Sequence, residues 1–158
     1  MKEKDTHMVT KAMIDDFISQ PSLAIVGVSR KGGNKFGNSA FKELKSKGYQ
    51  LYLVHPSAET LEGERTYPSL KALPQGVGGV LVVVPPAQTE KVVQEAHETG
   101  IKRVWLQQGA ESQVAIQYCQ QNGMSVVYGH CILMYAKPIA FFHKPHRWVM
   151  QLLGQLPK

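Results

Sequence analysis

The sequence predicts a doubly wound α/β domain, in which a parallel β-sheet is covered by helices on both faces. Short apolar segments alternate with stretches of helical periodicity along the 158 residues, which is typical of right-handed crossover units. One segment, Gly79 to Val84, is almost entirely valine and leucine, as expected of a parallel strand buried on both faces. The expected strand order is 3-2-1-4-5-6, and ligands of such sheets bind beyond the carboxyl ends of strands one and four.

The strands are predicted from short apolar runs that are bounded by glycine or proline. In chain order they are expected at Leu23 to Val26, Gln50 to Val54, Arg65 to Tyr67, Gly79 to Val84, Arg103 to Gln107 and Ser125 to Tyr128. The third is short and is predicted as the edge of the sheet. The fourth is ended by two prolines, because proline cannot donate to a strand ladder.

The helices are predicted from apolar residues spaced three and four apart, and from the residues at their ends. They are expected at Thr10 to Ser19, from Ser39 to Gly48, around Val92 to Ala96 with an end at Gly100, from Ser112 to Gly123, and around His146 to Leu153. Thr10 and Ser112 have side-chain oxygens suited to N-caps, and Gly48 is suited to a C-terminal cap.

The most informative stretch is the glycine-rich loop between the first strand and the helix expected from Ser39. Glycines let bare backbone amides approach an anion, and the following helix offers unpaired N–H groups at its positive end. The glycines are Gly27, Gly32, Gly33 and Gly37, the cations are Arg30, Lys31 and Lys35, and the neutral polar residues are Ser29, Asn34 and Asn38. These residue types together predict a phosphate site, and a glycine-rich surface turn with solvated charges is the simpler alternative.

The two usual phosphate-loop patterns do not fit this stretch. A dinucleotide fingerprint requires Gly-x-Gly-x-x-Gly, whereas the glycine that follows Gly27 is Gly32. A mononucleotide loop requires a lysine where Asn38 stands. The second strand ends at His55-Pro56, without the acid that grips the ribose of a nicotinamide cofactor. The sequence therefore favours an adenine nucleotide with extra phosphate over a nucleoside triphosphate or a nicotinamide cofactor.

Composition and charge indicate one domain with an anionic partner. The formal net charge is +6, from 18 basic and 12 acidic residues, and no acid follows Glu111. Such a charge suits either nucleic acid or a phosphorylated small molecule. Two cysteines are too few for a disulfide framework and indicate a reducing, cytoplasmic location. We expect neither a signal peptide nor a membrane-spanning segment.

Several short motifs follow one another in a specific order along the chain. They are Ile25-Val26-Gly27-Val28-Ser29-Arg30, Lys35-Phe36-Gly37-Asn38, Gly48-Tyr49, His55-Pro56, Gly63-Glu64-Arg65, Tyr67-Pro68-Ser69-Leu70, Val82-Val83-Val84-Pro85-Pro86, Val104-Trp105-Leu106-Gln107 and Gly109-Ala110-Glu111. This ordered set closely resembles the stand-alone bacterial and archaeal CoA-binding proteins, which commonly have Asn-Pro where this chain has His55-Pro56. The expected fold is also similar to the CoA-binding domain of the succinyl-CoA synthetase alpha subunit.

The resemblance implies a Rossmann-like domain that binds coenzyme A or an acyl-CoA. It implies that the pyrophosphate lies near Gly27, Ser29, Arg30, Lys35, Phe36, Gly37 and Asn38, that the adenosine portion is bordered by His55 and Pro56, that the crevice is flanked by Val84, Pro85 and Pro86, and that further contacts come from Gln108 and Gly109. The chain departs from the family at Gly129-His130 before Cys131, where the family often has Asp-Arg. We divide the chain into an N-terminal helix at 1–22, the CoA-binding domain at 23–134 and a basic, aromatic helical tail at 135–158.

No set of residues predicts catalysis or a metal site. A CoA ligase of the succinyl type uses a phosphorylated histidine from a second domain, for which this chain has no room, so binding is favoured over catalysis. The residues His130, Cys131, His143 and His146 match no compact zinc motif. Cys131 is a candidate for a mixed disulfide with the CoA thiol, whereas Cys119 is expected to be packed within a helix.

Two other functions stay open from the sequence alone. One is the binding of NAD(P) or another adenine nucleotide. The other is the binding of nucleic acid, which the basic charge permits but which no recognition helix or aromatic platform supports. The tail has more apolar surface than a lone helix buries, so we expect it to complete the core, to pair two copies or to contact a partner protein. These apolar residues are Phe141, Phe142, Trp148, Val149, Leu152 and Leu153.

Overall fold

Strands and helices alternate along the protein, as seen in a computed structural model that describes residues 8–31 and 35–138. The strands are β1 (Ser22–Val26), β2 (Gln50–Val54), β3 (Thr60–Leu61), β4 (Glu64–Tyr67), β5 (Gly79–Val82), β6 (Arg103–Leu106) and β7 (Ser125–Tyr128). The helices are α1 (Lys11–Ile18), α2 (Phe36–Ser46), α3 (Pro86–Glu98) and α4 (Gln113–Gln121), and two 3-10 turns lie at Leu70–Ala72 and Ile132–Met134.

The strands form one sheet in the order β3-β4-β2-β1-β5-β6-β7. Every neighbouring pair is parallel except β3 and β4, which pair antiparallel at the edge. The predicted doubly wound α/β class is therefore confirmed, and the order differs from the expected one by the additional strand β3. This strand has only two residues, so its sequence has no alternation that could predict it.

The two faces of the sheet carry separate hydrophobic cores, because successive side chains of a strand point to opposite faces. On one face α1 and α2 pack against strand residues such as Leu23 and Ile25. On the other face α3 and α4 pack against residues such as Ala24 and Val80. The buried Trp105 anchors the first core, where its ring meets Phe17 edge-on at 5.4 Å between centroids.

Most of the predicted boundaries agree with the structure within one or two residues, and the two differences that matter for the site are the start of α2 and the end of β5. α2 begins at Phe36, three residues before the expected Ser39, because the first turn of a helix tolerates poor helix formers such as Gly37 and Asn38. β5 ends at Val82 instead of Val84. Pro86 then occupies the first turn of α3, where a missing N–H is harmless.

The amino-terminal helix α1 is capped at its start and packed through its buried face. Thr10 caps α1 by accepting a hydrogen bond from the Met13 N–H at 3.2 Å. Ile14, Phe17 and Ile18 are buried. The helix predicted around His146 to Leu153 lies outside the described residues, so the expected division into three segments stays a prediction. None of the helices within the described residues has the length and hydropathy needed to cross a membrane.

Candidate functional site

The candidate site lies at the carboxyl ends of β1 and β5, the central strands of the sheet. β1 continues through the glycine-rich loop into α2 on one face, and β5 continues into α3 on the other face. Ligands of doubly wound sheets bind where neighbouring connections leave to opposite faces. The Val83 N–H, which donates to Val26 O at 2.8 Å, holds the segment after β5 beside the end of β1.

Gly27 and Gly37 have no room for a side chain, because neighbouring backbone segments lie against both of them. A Cβ atom on Gly27 would lie 2.5 Å from Val83 O, and a Cβ atom on Gly37 would lie 2.6 Å from Gly27 O. Gly27 also has a φ of +128°, a backbone conformation that residues other than glycine rarely adopt. These two glycines therefore let α2 and the segment after β5 approach the end of β1, a packing role that the sequence pattern alone does not predict.

α2 starts at the carboxyl edge of the sheet without a side-chain cap. Its N-cap residue, Lys35, is extended and makes no side-chain hydrogen bond to the first turn. α4 differs, since Ser112 accepts a hydrogen bond from the Ala115 N–H. An uncapped start leaves backbone N–H groups and the positive end of the helix dipole for an anion. Lys35, the N-cap residue itself, and Lys31 are both exposed, and residues 32–34 between them lie outside the described residues.

The amide of Asn38 holds the loop in place from the first turn of α2. Its Oδ1 accepts from the Ser29 N–H at 3.1 Å, and its Nδ2 donates to Ser29 O at 3.0 Å and to Glu62 Oε2 at 2.8 Å. The Asn38 side chain is fully buried, and both of its amide hydrogens are used. The predicted ligand contact of Asn38 is therefore left to its backbone N–H, while its side chain fixes the loop.

Arg30 joins the loop to the turn after β2. Its guanidinium donates to Ser57 Oγ at 2.8 Å. A cavity of about 540 Å³ lies at this junction. It is lined by Ser29, Arg30, Ser57, Ala58, Glu59, Thr60, Leu61 and Glu62. The cavity combines one cation and two carboxylates with several hydroxyl groups, which suits a polar, hydrogen-bonding ligand.

His55 organises the turn that follows β2. Its Nδ1 accepts from the N–H groups of Ser57 at 3.1 Å and Ala58 at 2.9 Å. This arrangement matches the turn that an asparagine side chain makes with the backbone two and three residues on, and it assigns the ring hydrogen to Nε2. His55 and the exposed Pro56 also line a second cavity, of about 460 Å³, next to the first.

The other predicted site residues lie farther along the same edge of the sheet. Val84 is half-buried, and Pro85 and Pro86 are exposed at the start of α3. Gln108 and Gly109 are exposed in the loop after β6. Neither of the two cavities is lined by any of these five residues. The structure thus brings Ser29 and Arg30 of the loop beside the turn that His55 and Pro56 begin. It places the second group at the carboxyl ends of β5 and β6.

Three residues that contribute to this edge were not predicted as site residues. Glu62 and Ser57 reach the loop from the turn and hairpin after β2, and neither belongs to a pattern that predicts such a contact. Glu111 links two loops, because Oε1 accepts from the Gly109 N–H at 2.8 Å and Oε2 accepts from the Gly129 N–H at 3.3 Å. Glu111 stood in a recognisable Gly-Ala-Glu motif, which was the available signal.

The thiols and histidines of this region form no metal-binding cluster within residues 8–31 and 35–138. In that part of the chain no cluster of three His, Cys, Asp or Glu side chains could hold a metal ion. His143 and His146, for which the sequence predicts no zinc motif, lie outside the described residues. Cys119 is fully buried, and burial raises the pKa of its thiol to about 12. Cys131 is partly exposed at the start of the last 3-10 turn.

A family model described as CoA binding domain matches residues 21–137 of this chain. Among curated proteins, the chain is 27% identical over 131 residues to the alpha subunit of an ADP-forming acetate–CoA ligase II of Pyrococcus furiosus. This match covers 76% of the chain but only 28% of the ligase subunit. The chain thus spans between a quarter and a third of that relative.

Solved structures of similar size match along nearly their whole length. A conserved hypothetical protein of Pyrococcus furiosus is 36% identical with a TM-score of 0.68, covering 72% of this chain and 97% of the other. A hypothetical protein of Pyrococcus horikoshii is 28% identical with a TM-score of 0.75, covering 81% of this chain and 90% of the other. The described fold therefore recurs as a protein of about this length.

Proposed function

The chain belongs to the CoA binding domain family, and from this premise we propose that it binds coenzyme A or an acyl-CoA through the glycine-rich loop after β1. Family membership supports CoA binding in general. The finer assignment rests on one observation, the uncapped start of α2 at the carboxyl end of β1, which is preceded in the chain by the exposed cations Arg30, Lys31 and Lys35. Backbone N–H groups at a helix start and nearby cations are the partners that a pyrophosphate requires.

We assign the pyrophosphate to the backbone of Gly27, Ser29 and the first turn of α2, which comprises Phe36, Gly37 and Asn38. The adenosine portion is assigned to the two neighbouring cavities beside Arg30, His55 and Pro56, because their polar walls suit ribose hydroxyls and a base. The pantetheine arm would then run past Val84, Pro85 and Pro86 toward Gln108 and Gly109. This path follows the carboxyl edge of the sheet from β2 to β6.

The proposed function stops at binding. The curated relative is a ligase subunit of which this chain spans 28%, and the sequence predicts no complete catalytic set of residues. We therefore propose that the protein is not catalytic by itself. We also propose a location in the cytoplasm, because two cysteines are too few for a disulfide framework. The residues after 138 are proposed as the contact to a second copy or to a partner protein, because their apolar side chains need a surface.

Calorimetric titration with CoA, NAD and ATP tests the proposal directly. CoA should bind most tightly, and Arg30→Ala should weaken CoA binding by about tenfold, since a charge-assisted contact of roughly 1.5 kcal/mol is lost. Lys102→Ala is the matched control, because Lys102 is an exposed cation at the amino end of β6, on the opposite edge of the sheet. It should leave the affinity within about twofold of wild type.

The alternatives make different predictions in the same experiment. Preferential NAD or ATP binding would replace CoA by another adenine nucleotide. Binding to duplex DNA with a steep salt dependence, in the absence of CoA binding, would support the nucleic-acid alternative. Equal losses for Arg30→Ala and Lys102→Ala would refute the assignment of the site, because only general charge would then matter.

A further inference from the structure

Glu62 has a backbone conformation that a glutamate adopts at a cost. Glu62 and Gly63 form the two-residue turn between β3 and β4, and both have positive φ, 52° and 78°. Within residues 8–31 and 35–138, Glu62 is the one residue other than glycine with positive φ. Such turns favour glycine, asparagine or aspartate at this position. Costly backbone conformations of this kind cluster at functional sites, where the side chain makes a contact that the preferred residues would not make. The contacts of the Glu62 carboxylate therefore bear on its role.

The Glu62 carboxylate is directed at the glycine-rich loop. Oε2 accepts from Asn38 Nδ2 at 2.8 Å, and Oε1 lies 3.8 Å from Lys42 Nζ. Only 15% of the side chain is exposed. The other Nδ2 hydrogen and the Oδ1 of Asn38 bind the backbone of Ser29. Glu62 therefore completes the hydrogen bonding of the Asn38 amide, which binds the Ser29 backbone.

The charge of Glu62 by itself opposes the proposed ligand. A carboxylate beside a pyrophosphate site repels the phosphates and weakens their binding. If Glu62 had no effect on the loop, its removal would strengthen CoA binding. The two effects thus have opposite signs, and a single measurement can show which one is larger.

Resting on the proposed function, we propose that Glu62 is a positioning residue for the phosphate site. It holds the Asn38 amide in the orientation that fixes the Ser29 backbone, and so keeps Ser29 beside the first turn of α2. Glu62 acts from a hairpin and lies 24 residues after Asn38 in the sequence. Glu62 does not itself contact the ligand phosphates.

The test uses Glu62→Gly, Glu62→Gln and the control Glu64→Gln in the full chain. Glu62→Gly removes the carboxylate and relieves the positive-φ cost, so the fold should lose no stability through the turn. Glu62→Gln removes the charge but keeps an oxygen that can accept from Asn38. Glu64→Gln removes a carboxylate of the same hairpin that pairs with Lys45 and does not touch Asn38.

Positioning predicts a specific order of CoA affinities by calorimetry. Glu62→Gly should bind CoA about tenfold more weakly than wild type, since a buried charge-assisted hydrogen bond is lost. Glu62→Gln and Glu64→Gln should bind within about twofold of wild type or more tightly. An affinity of Glu62→Gly equal to or above that of wild type would overturn the proposal, because the repulsion of the phosphates by Glu62 would then be at least as large as any effect on the position of Ser29.

Hydrogen exchange of the Ser29 amide in the ligand-free protein gives a second, independent test. We expect exchange about tenfold faster in Glu62→Gly and near the wild-type rate in Glu62→Gln, while the amide of Ile25 in β1 is unchanged. Equal Ser29 rates in all variants would overturn the proposal. If wild-type protein binds no CoA, the proposed function is wrong, and the Ser29 comparison then decides the role of Glu62 by itself.

Discussion

Substitution of Gly37 by alanine sets two opposing effects against each other. Gly37 lies in the first turn of α2 and is buried. Alanine is the better helix former by about 1 kcal/mol, so helix propensity alone predicts a more stable protein. The added Cβ, however, would lie 2.6 Å from Gly27 O, 3.0 Å from Gly27 C and 3.2 Å from Val28 Cα.

The three atoms that the new Cβ would meet all belong to the backbone, and this decides the expected sign. A flexible side chain could turn away from the methyl group, but the backbone at the end of β1 is held by neighbouring strands on both sides. α2 would have to move by about 0.8 Å to reach ordinary contact. Overpacking costs roughly 1–3 kcal/mol, and a clash with backbone atoms that cannot turn away lies in the upper part of that range, about 2–3 kcal/mol. After the gain of about 1 kcal/mol in helix propensity, we expect a net loss of about 1–2 kcal/mol.

Equilibrium urea denaturation measures this loss. The midpoint for Gly37→Ala should fall by roughly 0.5–1 M at an unchanged slope. Ser39→Ala is the matched control, because Ser39 is exposed in the same helix and its substitution should change stability by less than about 0.5 kcal/mol. A Gly37→Ala protein at least as stable as wild type would refute the reasoning, since α2 would then move away from β1 at no cost.

Two further predictions concern buried ionisable groups. Burial raises the pKa of Tyr49 from 10.0 to about 12, and a hydrogen bond with the Lys137 backbone lowers it by less. The contribution of the neutral Tyr49 side chain to stability is therefore complete below pH 10 and is lost as the pH rises from 10 to 12. Over that range the free energy of unfolding should fall by about 2–3 kcal/mol more in wild type than in Tyr49→Phe. An equal fall in both proteins would assign the alkaline loss to other groups. Any adduct formed on incubation with oxidised CoA should be lost in Cys131→Ser and kept in Cys119→Ser by intact mass, because the Cys119 thiol is fully buried; an adduct on Cys119 in the folded protein would contradict that packing.

Local sequence patterns predicted the class of the fold and the position of its ligand edge. The valine-rich run at Gly79 to Val84 indicated a central parallel strand, and the glycine loop after Leu23 to Val26 predicted a ligand site at the carboxyl edge of that sheet, which stays a prediction. Thr10 and Ser112 were predicted as caps and do cap α1 and α4. These signals are readable because each depends on residues only a few positions apart.

Only the tertiary structure decided how the candidate site is held together. A side chain at position 37 would clash with the backbone of Gly27, and Glu62 accepts a hydrogen bond from Asn38. Nothing in the sequence around any of these residues specifies the partner. His55 likewise proved to support a turn through its Nδ1 atom. Periodicity and capping are properties of neighbouring residues, whereas these contacts join segments that become neighbours only when parallel strands align at one edge of the sheet.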